Sequence, residues 1–345
     1  MSNQENIVKE AILYEKIAEN KVQCNLCSFR CKIALNDKGR CFVRKNIAGK
    51  LYSLNYGRLC AANIDPIEKK PLFHFQPASK SFSVASPGCN FRCSFCQNWQ
   101  ISQMPYEQKT VRGQIWYPEQ VVAAAIRGGC KSIAYTYTEP TVFMEFCDDC
   151  GRLAKQEDLK NVFVSNGYLT RDAIKLASEW LDGINVDLKS FSGDYYKKIC
   201  KADLQPVLDA ISYIAKETDI WLEITTLIVP GENDSEDEIK KIADFIVTNA
   251  GAEVPWHVSR FYPNYKYADT EPTPAATLEK ALEIGKAAGL NYVYVGNLPG
   301  AKAESTFCHN CGKLLIERIG FQVVASRTVK SCCPECHTKV AGFEV

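Results

Sequence analysis

The chain has 345 residues, 46% of them apolar, with 41 Lys and Arg against 40 Asp and Glu for a net charge of +1. That length suffices for one large domain with appendages or for two ordinary domains, and the balanced charge offers no global field to attract nucleic acid or an anionic membrane, so a small molecule or a protein is the expected substrate. No apolar run can span a bilayer, and the opening MSNQENIVKE lacks a basic stretch followed by an apolar one, so the cysteines, eleven of the 17 in three tight clusters, are read as pointing to metal binding in a cytoplasmic protein rather than to a disulfide framework.

Residues 6–20 carry apolar side chains at helical spacing, which predicts an N-terminal helix. Cys24, Cys27, Cys31 and Cys41 follow within eighteen residues, with Gly39 helping the backbone turn back. Zinc and an iron–sulfur cluster both accept four thiolates, so this spacing does not choose between them. Residues 51–80 are turn-rich. From residue 81 onward short β-rich runs (82–85, 132–137, 161–165, 183–188, 220–228, 257–261 and 292–295) alternate with helical patterns (118–127, 142–156, 171–180, 205–217, 235–248 and 277–288). That alternation predicts βαβ units and a parallel sheet closing into a partial (β/α)6 TIM-like barrel, in which functional residues gather where strands end.

The first such strand leads through Pro87-Gly88 into Cys89-Asn90-Phe91-Arg92-Cys93-Ser94-Phe95-Cys96. A [4Fe–4S] cluster ordinarily takes four cysteines, so a loop offering three leaves one iron with an open position. A zinc knuckle or three unrelated buried thiols is the competing reading. Later strand ends carry Glu139-Pro140, then Ser165-Asn166, whose small polar groups suit a ribose or a carboxylate, then Asp187 and Lys189 on one strand face. His257 stands in the sixth run, where a satisfied core histidine is the ordinary alternative. Near the C-terminus, Cys308/Cys311 and Cys333/Cys336 form two C-x-x-C knuckles suited to tetrahedral zinc, with Cys332 as an alternative ligand. The other six cysteines, including the Cys147/Cys150 pair within a helical pattern, are read as ordinary buried residues.

The C-x-x-x-C-x-x-C loop with Phe95 before its last cysteine resembles the signature of radical S-adenosylmethionine (SAM) enzymes. The phrases 65–75, 88–102, 135–141, 185–190, 225–234, 257–265 and 292–300, with the terminal cysteine pairs, are similar to the AmmeMemoRadiSam-system family, itself similar to pyruvate formate-lyase activating enzymes. The resemblance implies a radical SAM barrel over residues 81–300, between an N-terminal helix and Cys-rich metal-binding segment (1–80) and a zinc-ribbon-like module (301–345). It implies that Cys89, Cys93 and Cys96 ligate [4Fe–4S], and that Phe95, Asn98, Glu139, Ser165, Asn166, Asp187, Lys189 and His257 contact or frame SAM. The usual Gly-Gly before Glu-Pro is replaced by Tyr137-Thr138. The implied activity is reductive cleavage of SAM to a 5′-deoxyadenosyl radical that takes hydrogen from a protein, as glycyl-radical enzymes are activated, or from a small molecule. A flavodoxin or ferredoxin would supply the electron, under anaerobic or well-reduced conditions. Two rival readings remain at this point: an iron–sulfur electron carrier without turnover, and a zinc-ribbon module binding protein or nucleic acid. The 301–345 segment, with six Lys/Arg, four Asp/Glu and few aromatics, argues against nucleic acid.

Overall fold

The alternation expected from residue 81 onward is present in the computed structural model, which describes residues 8–298, 300 and 302–345. Strands Lys80–Ala85 (β1), Ser132–Tyr135 (β2), Lys160–Ser165 (β3), Gly183–Asp187 (β4), Trp221–Ile228 (β5), Trp256–Arg260 (β6) and Val293–Gly296 (β7) alternate with helices. These are Pro118–Arg127 (α1), Met144–Gln156 (α2), Arg171–Ala177 (α3), Gln205–Glu217 (α4), Glu236–Asn249 (α5) and Ala275–Ala287 (α6). Helix starts coincide with capping chemistry: Thr170 Oγ1 accepts from Ala173 N at 3.2 Å, Ser235 Oγ accepts from Glu238 N at 3.3 Å, and Pro118 takes the first turn of α1. The strands are almost wholly buried, as expected of a parallel sheet covered on both faces.

The chain divides into two compact units. The first runs to Ile64 and takes in Phe82–Arg92 and Asn98–Leu181. Here β2 and β3 pair in parallel, Ser132 opposite Lys160 and Tyr135 opposite Phe163, and Thr136 N continues the ladder to Val84 O. Helix α2 packs with no clearance at Gly151, where a Cβ would stand 2.4 Å from the Trp180 ring. Cys147 and Cys150 are fully buried on that helix, in keeping with a packing role.

The N-terminal helix is not formed. Lys9–Glu10 and Tyr14–Lys16 are short strands, paired antiparallel with Lys50–Ser53 and Val22–Cys24. Leu13, Glu19 and Asn20 take positive φ (50°, 62° and 57°), which a right-handed helix does not admit, so non-local pairing overrides the local apolar spacing. Part of the expected helix, residues 6 and 7, lies outside the described residues. The segment read as turn-rich also contains a strand, Ala61–Pro66.

The second unit comprises Asp65–Ser81, Cys93–Gln97 and Asp182–Val345. Strands β4 to β7 pair in parallel in chain order, placing Asp187, Thr225, His257 and Tyr294 in one row and therefore on one face. Its C-terminal part is an antiparallel ribbon, Thr306–Phe307, Leu314–Ile319 and Gln322–Ser326. Leu315, Ile316, Cys308, Cys333 and Val340 of this ribbon region share a buried cluster with Phe73, Tyr292 and Tyr294. Arg318 is fully enclosed there, 3.7 Å from the equally buried Glu68, and donates to Phe73 O at 2.7 Å. No helix among the described residues is long and apolar enough to cross a membrane.

Candidate cofactor and metal sites

The cysteine loop begins in the first unit, where Cys89 is the acceptor of an N–H ring. Phe91 N lies 3.3 Å and Asn166 Nδ2 3.7 Å from its sulfur as donors, and the thiol faces Asn90 Oδ1 at 3.7 Å. Asn166 is fixed in turn by Glu139, a carboxylate only 1% exposed. Glu139 accepts from Thr141 N at 3.1 Å, Thr141 Oγ1 at 2.5 Å, Ser165 Oγ at 2.8 Å and Asn166 N at 2.8 Å. Burial pushes this carboxyl up from its ordinary value, against the pull of those donors. Three residues chosen from sequence, Glu139, Ser165 and Asn166, are thus brought together behind Cys89. Glu139 acts there through its neighbours, because its oxygens are already engaged.

Tyr137 precedes this turn at φ +63°, with Thr138 N donating to Thr136 O at 2.8 Å. The backbone therefore keeps a conformation that glycine adopts freely, although a tyrosine occupies it. Asn98 is exposed at the N-cap of a one-turn helix, Trp99–Ser102, and makes no side-chain cap.

In the second unit Lys189 Nζ pairs with Asp187 Oδ2 at 2.8 Å and stands 5.8 Å over the Phe95 ring. Burial works against its charge, but the Asp187 carboxylate outweighs burial and the ammonium is raised well above its ordinary value. Tyr196 OH accepts from Lys189 N at 3.1 Å, and Phe95 rests against Tyr195, with ring centroids 6.0 Å apart. The Cys93 thiol is buried against Cys200, which with desolvation pushes it up.

His257 is placed differently from the strand-end expectation. It is the second residue of β6, its Nε2 is 2.7 Å from Glu223 Oε2, and its ring lies edge-on to Phe73 and stacked on Tyr294. Glu223, fully buried, also accepts from Phe73 N, His74 N and Trp221 Nε1 at 3.0, 2.8 and 3.0 Å. The histidine therefore holds a core carboxylate, which is the ordinary alternative for a lone His in an apolar run. Sequence reading passed over Glu223, although a single acid inside the run Trp221–Ile228 was a usable signal.

Two further sets of thiols are gathered. Cys308, Cys311, Cys333 and Cys336 bring their sulfurs within 4.8 Å of one another. Each knuckle closes on a residue of positive φ: Gly312 (74°) donates to Cys308 O and His337 (58°) to Cys333 O. Two sulfur pairs are 3.6 Å apart, near the roughly 3.8 Å that a tetrahedral ion at about 2.3 Å from each sulfur requires, so the donor set fits one tetrahedral ion. Cys332 lies outside the set. Cys24, Cys27, Cys31 and Cys41 instead line a cavity together with Arg40, Arg44 and Asn90. Burial pushes Cys27 up and takes Cys41 to about 11. Beneath them Arg44 is ion-paired with Glu145, both almost fully buried. Neither was singled out in the sequence, where Arg44 stands beside Lys45 and Glu145 shortly before Asp148 and Asp149.

A model of the radical SAM superfamily matches residues 83–246. The chain is 45% identical over 335 residues to the uncharacterized protein MJ0808 of Methanocaldococcus jannaschii, covering 96% of this chain and 99% of that one. It is 26% identical over 212 residues to the putative glycyl-radical enzyme activating enzyme MJ1632 of the same organism, covering 60% and 77%. Among solved structures, a radical SAM methyltransferase from Sphaerobacter thermophilus shares the fold at TM-score 0.51, with 16% identity and 70% and 71% coverage. With parallel strands and intervening helices in the expected order and a three-cysteine loop after the first strand, the chain has a partial radical SAM barrel and belongs to the radical SAM superfamily.

Proposed function

We propose that this chain is an activating-enzyme-like radical SAM oxidoreductase that removes hydrogen from a protein or a small-molecule substrate. The observation that carries the reading is the loop of Cys89, Cys93 and Cys96, three thiols that would hold a [4Fe–4S] cluster with one iron left for SAM. When bound, the reduced cluster supplies the electron that cleaves SAM to methionine and a 5′-deoxyadenosyl radical. The chain's own residues bind and orient. Lys189, kept charged by Asp187, is a compact cation suited to the SAM carboxylate. Phe95 shields one side of that ammonium from water, and Asn166, oriented by Glu139, supports the Cys89 sulfur with an N–H. Cys308, Cys311, Cys333 and Cys336 would hold zinc as a structural staple. A flavodoxin- or ferredoxin-type donor supplies one electron per turnover, and an oxygen-poor, reducing cytoplasm suits an exposed cluster.

Anaerobic reconstitution with iron and sulfide, followed by reduction with SAM present, should give 5′-deoxyadenosine. The Cys93→Ala protein should give none. An intact cluster that never cleaves SAM, even with cell extract added as a source of substrate, would refute the enzyme and leave an electron carrier.

A further inference from the structure

The N-terminal cavity differs from the C-terminal knuckles in the chemistry it can hold. Among the described residues, the four C-terminal sulfurs are the one set drawn together tightly enough for a single ion. Cys24, Cys27, Cys31 and Cys41 instead stand around a partly open cavity, with their sulfurs set wider apart. Two buried donors on its lining lack an acceptor: Asn90 Nδ2 and Arg44 Nε, in residues 1% and 2% exposed. Leaving a buried N–H unpaired is costly, so an occupant of this space should bring acceptors of its own. A cubane cluster does so through its inorganic sulfides, and its four irons spread the four thiolates apart. A zinc ion would require the four thiols to collapse onto one point and would bring no acceptor besides them.

The cavity also adjoins the loop of the first site. Asn90 lines it, and Asn90 Oδ1 is 3.7 Å from Cys89 Sγ and 2.7 Å from Asn166 Nδ2. Arg40, on the same lining, donates to Asn90 O at 3.3 Å, and its own carbonyl accepts from Arg92. One side chain therefore separates the cavity from a thiol of the three-cysteine loop.

We infer that Cys24, Cys27, Cys31 and Cys41 hold a second [4Fe–4S] cluster, and that it passes electrons through Asn90 to the cluster at Cys89. The relay half rests on the proposed function. One electron leaves a reduced flavin- or iron–sulfur-protein donor and reduces the N-terminal cluster from the 2+ to the 1+ state. That cluster returns to 2+ as the loop cluster becomes 1+, with no bond or proton changing hands.

The test counts acid-labile sulfide per full-length chain after anaerobic reconstitution, since zinc adds none. Two cubanes give about eight in the parent, and about four should persist in a Cys89→Ala, Cys93→Ala, Cys96→Ala variant. About four in the parent and none in the variant would overturn the inference. If that variant does not fold, the sulfide count and the number of reduced-cluster spins in the parent decide alone. Eight sulfides without any 5′-deoxyadenosine would refute the proposed function while leaving the second cluster standing. For the relay, Cys27→Ser with Cys31→Ser should make 5′-deoxyadenosine with dithionite, which reaches the loop cluster directly, and lose it with reduced flavodoxin. Equal behaviour with the two reductants, whether retained or lost, overturns the relay.

Discussion

The Cys308/Cys311/Cys333/Cys336 group and the Cys24/Cys27/Cys31/Cys41 group differ in how far the polypeptide alone draws its sulfurs together. In the first, two left-handed turns at Gly312 and His337 fold each knuckle back on its own carbonyl, and the backbone does the gathering. In the second, the thiols come from a strand end and two loops, above a floor made by the Arg44–Glu145 pair. One arrangement is a closed tetrahedron and the other an open bowl. Equal numbers of cysteines thus suit different contents, because the scaffold sets the span and the unpaired donors set the chemistry.

The largest effect that would sharpen this contrast is loss of the C-terminal metal. Cys333 and Cys308 are buried in a cluster with Phe73 and Tyr294, so an empty site leaves four thiols beside an apolar core. Structural zinc contributes roughly 10 kcal/mol or more to the folding of small zinc peptides, and even a fraction of that should lower the melting temperature of the Cys333→Ser protein sharply. If melting followed by circular dichroism is unchanged, the ribbon folds without its staple.

Next is the floor of the open bowl. Arg44→Met strands the Glu145 charge and should cost about 3–5 kcal/mol in urea unfolding, together with loss of N-terminal metal. Adding Glu145→Met should recover much of the stability, and a double variant no better than the single would show that the pair's charge is not the issue.

Acid should loosen the C-terminal side through His74. This ring is fully buried between Ala341 O (2.6 Å from Nδ1) and Tyr294 OH (2.5 Å from Nε2), and burial lowers its pKa from 6.5 to about 4. The unfolded chain binds the proton first, so this stabilisation is full above pH 6.5 and is lost as pH falls towards 4, about 2 kcal/mol of it by pH 5. The urea midpoint should drop between pH 7.5 and pH 5, and His74→Gln should flatten the drop. A slope unchanged in that variant would assign it to other groups.

The smallest effect concerns the knuckle turns. Gly312→Ala places a Cβ at φ +74° and should cost about 1 kcal/mol, whereas His337→Gly at φ 58° should gain a similar or smaller amount. Thermal melts of the two proteins should move in opposite directions.

Much of this molecule was legible beforehand where local and global signals agree. The parallel strands are buried on both faces, so their short apolar runs stand out between helices whose starts carry Thr170, Ser235 or Pro118. The segment from residue 8 has apolar spacing that mimics a helix, while its pairing partners, such as Lys50–Ser53, lie far along the chain. At the sites, Glu139, Ser165 and Asn166 were found from strand-end position and do converge. His257 was drawn from the same rule but answers to Glu223, a partner visible only when β5 and β6 lie side by side. The orphan donors of Asn90 and Arg44 were not legible at all, since an unpaired hydrogen is a property of packing rather than of residue type.

Tyr137 sets the chain's mutational economy at the end of β2. Its left-handed backbone stores roughly 1–2 kcal/mol that glycine would release, at a turn leading directly into Glu139. Repeated selection for heat resistance alone should therefore drift this position to glycine or asparagine, while selection for turnover decides whether the tyrosine returns. The ratio of the two outcomes would measure how much turnover depends on that side chain.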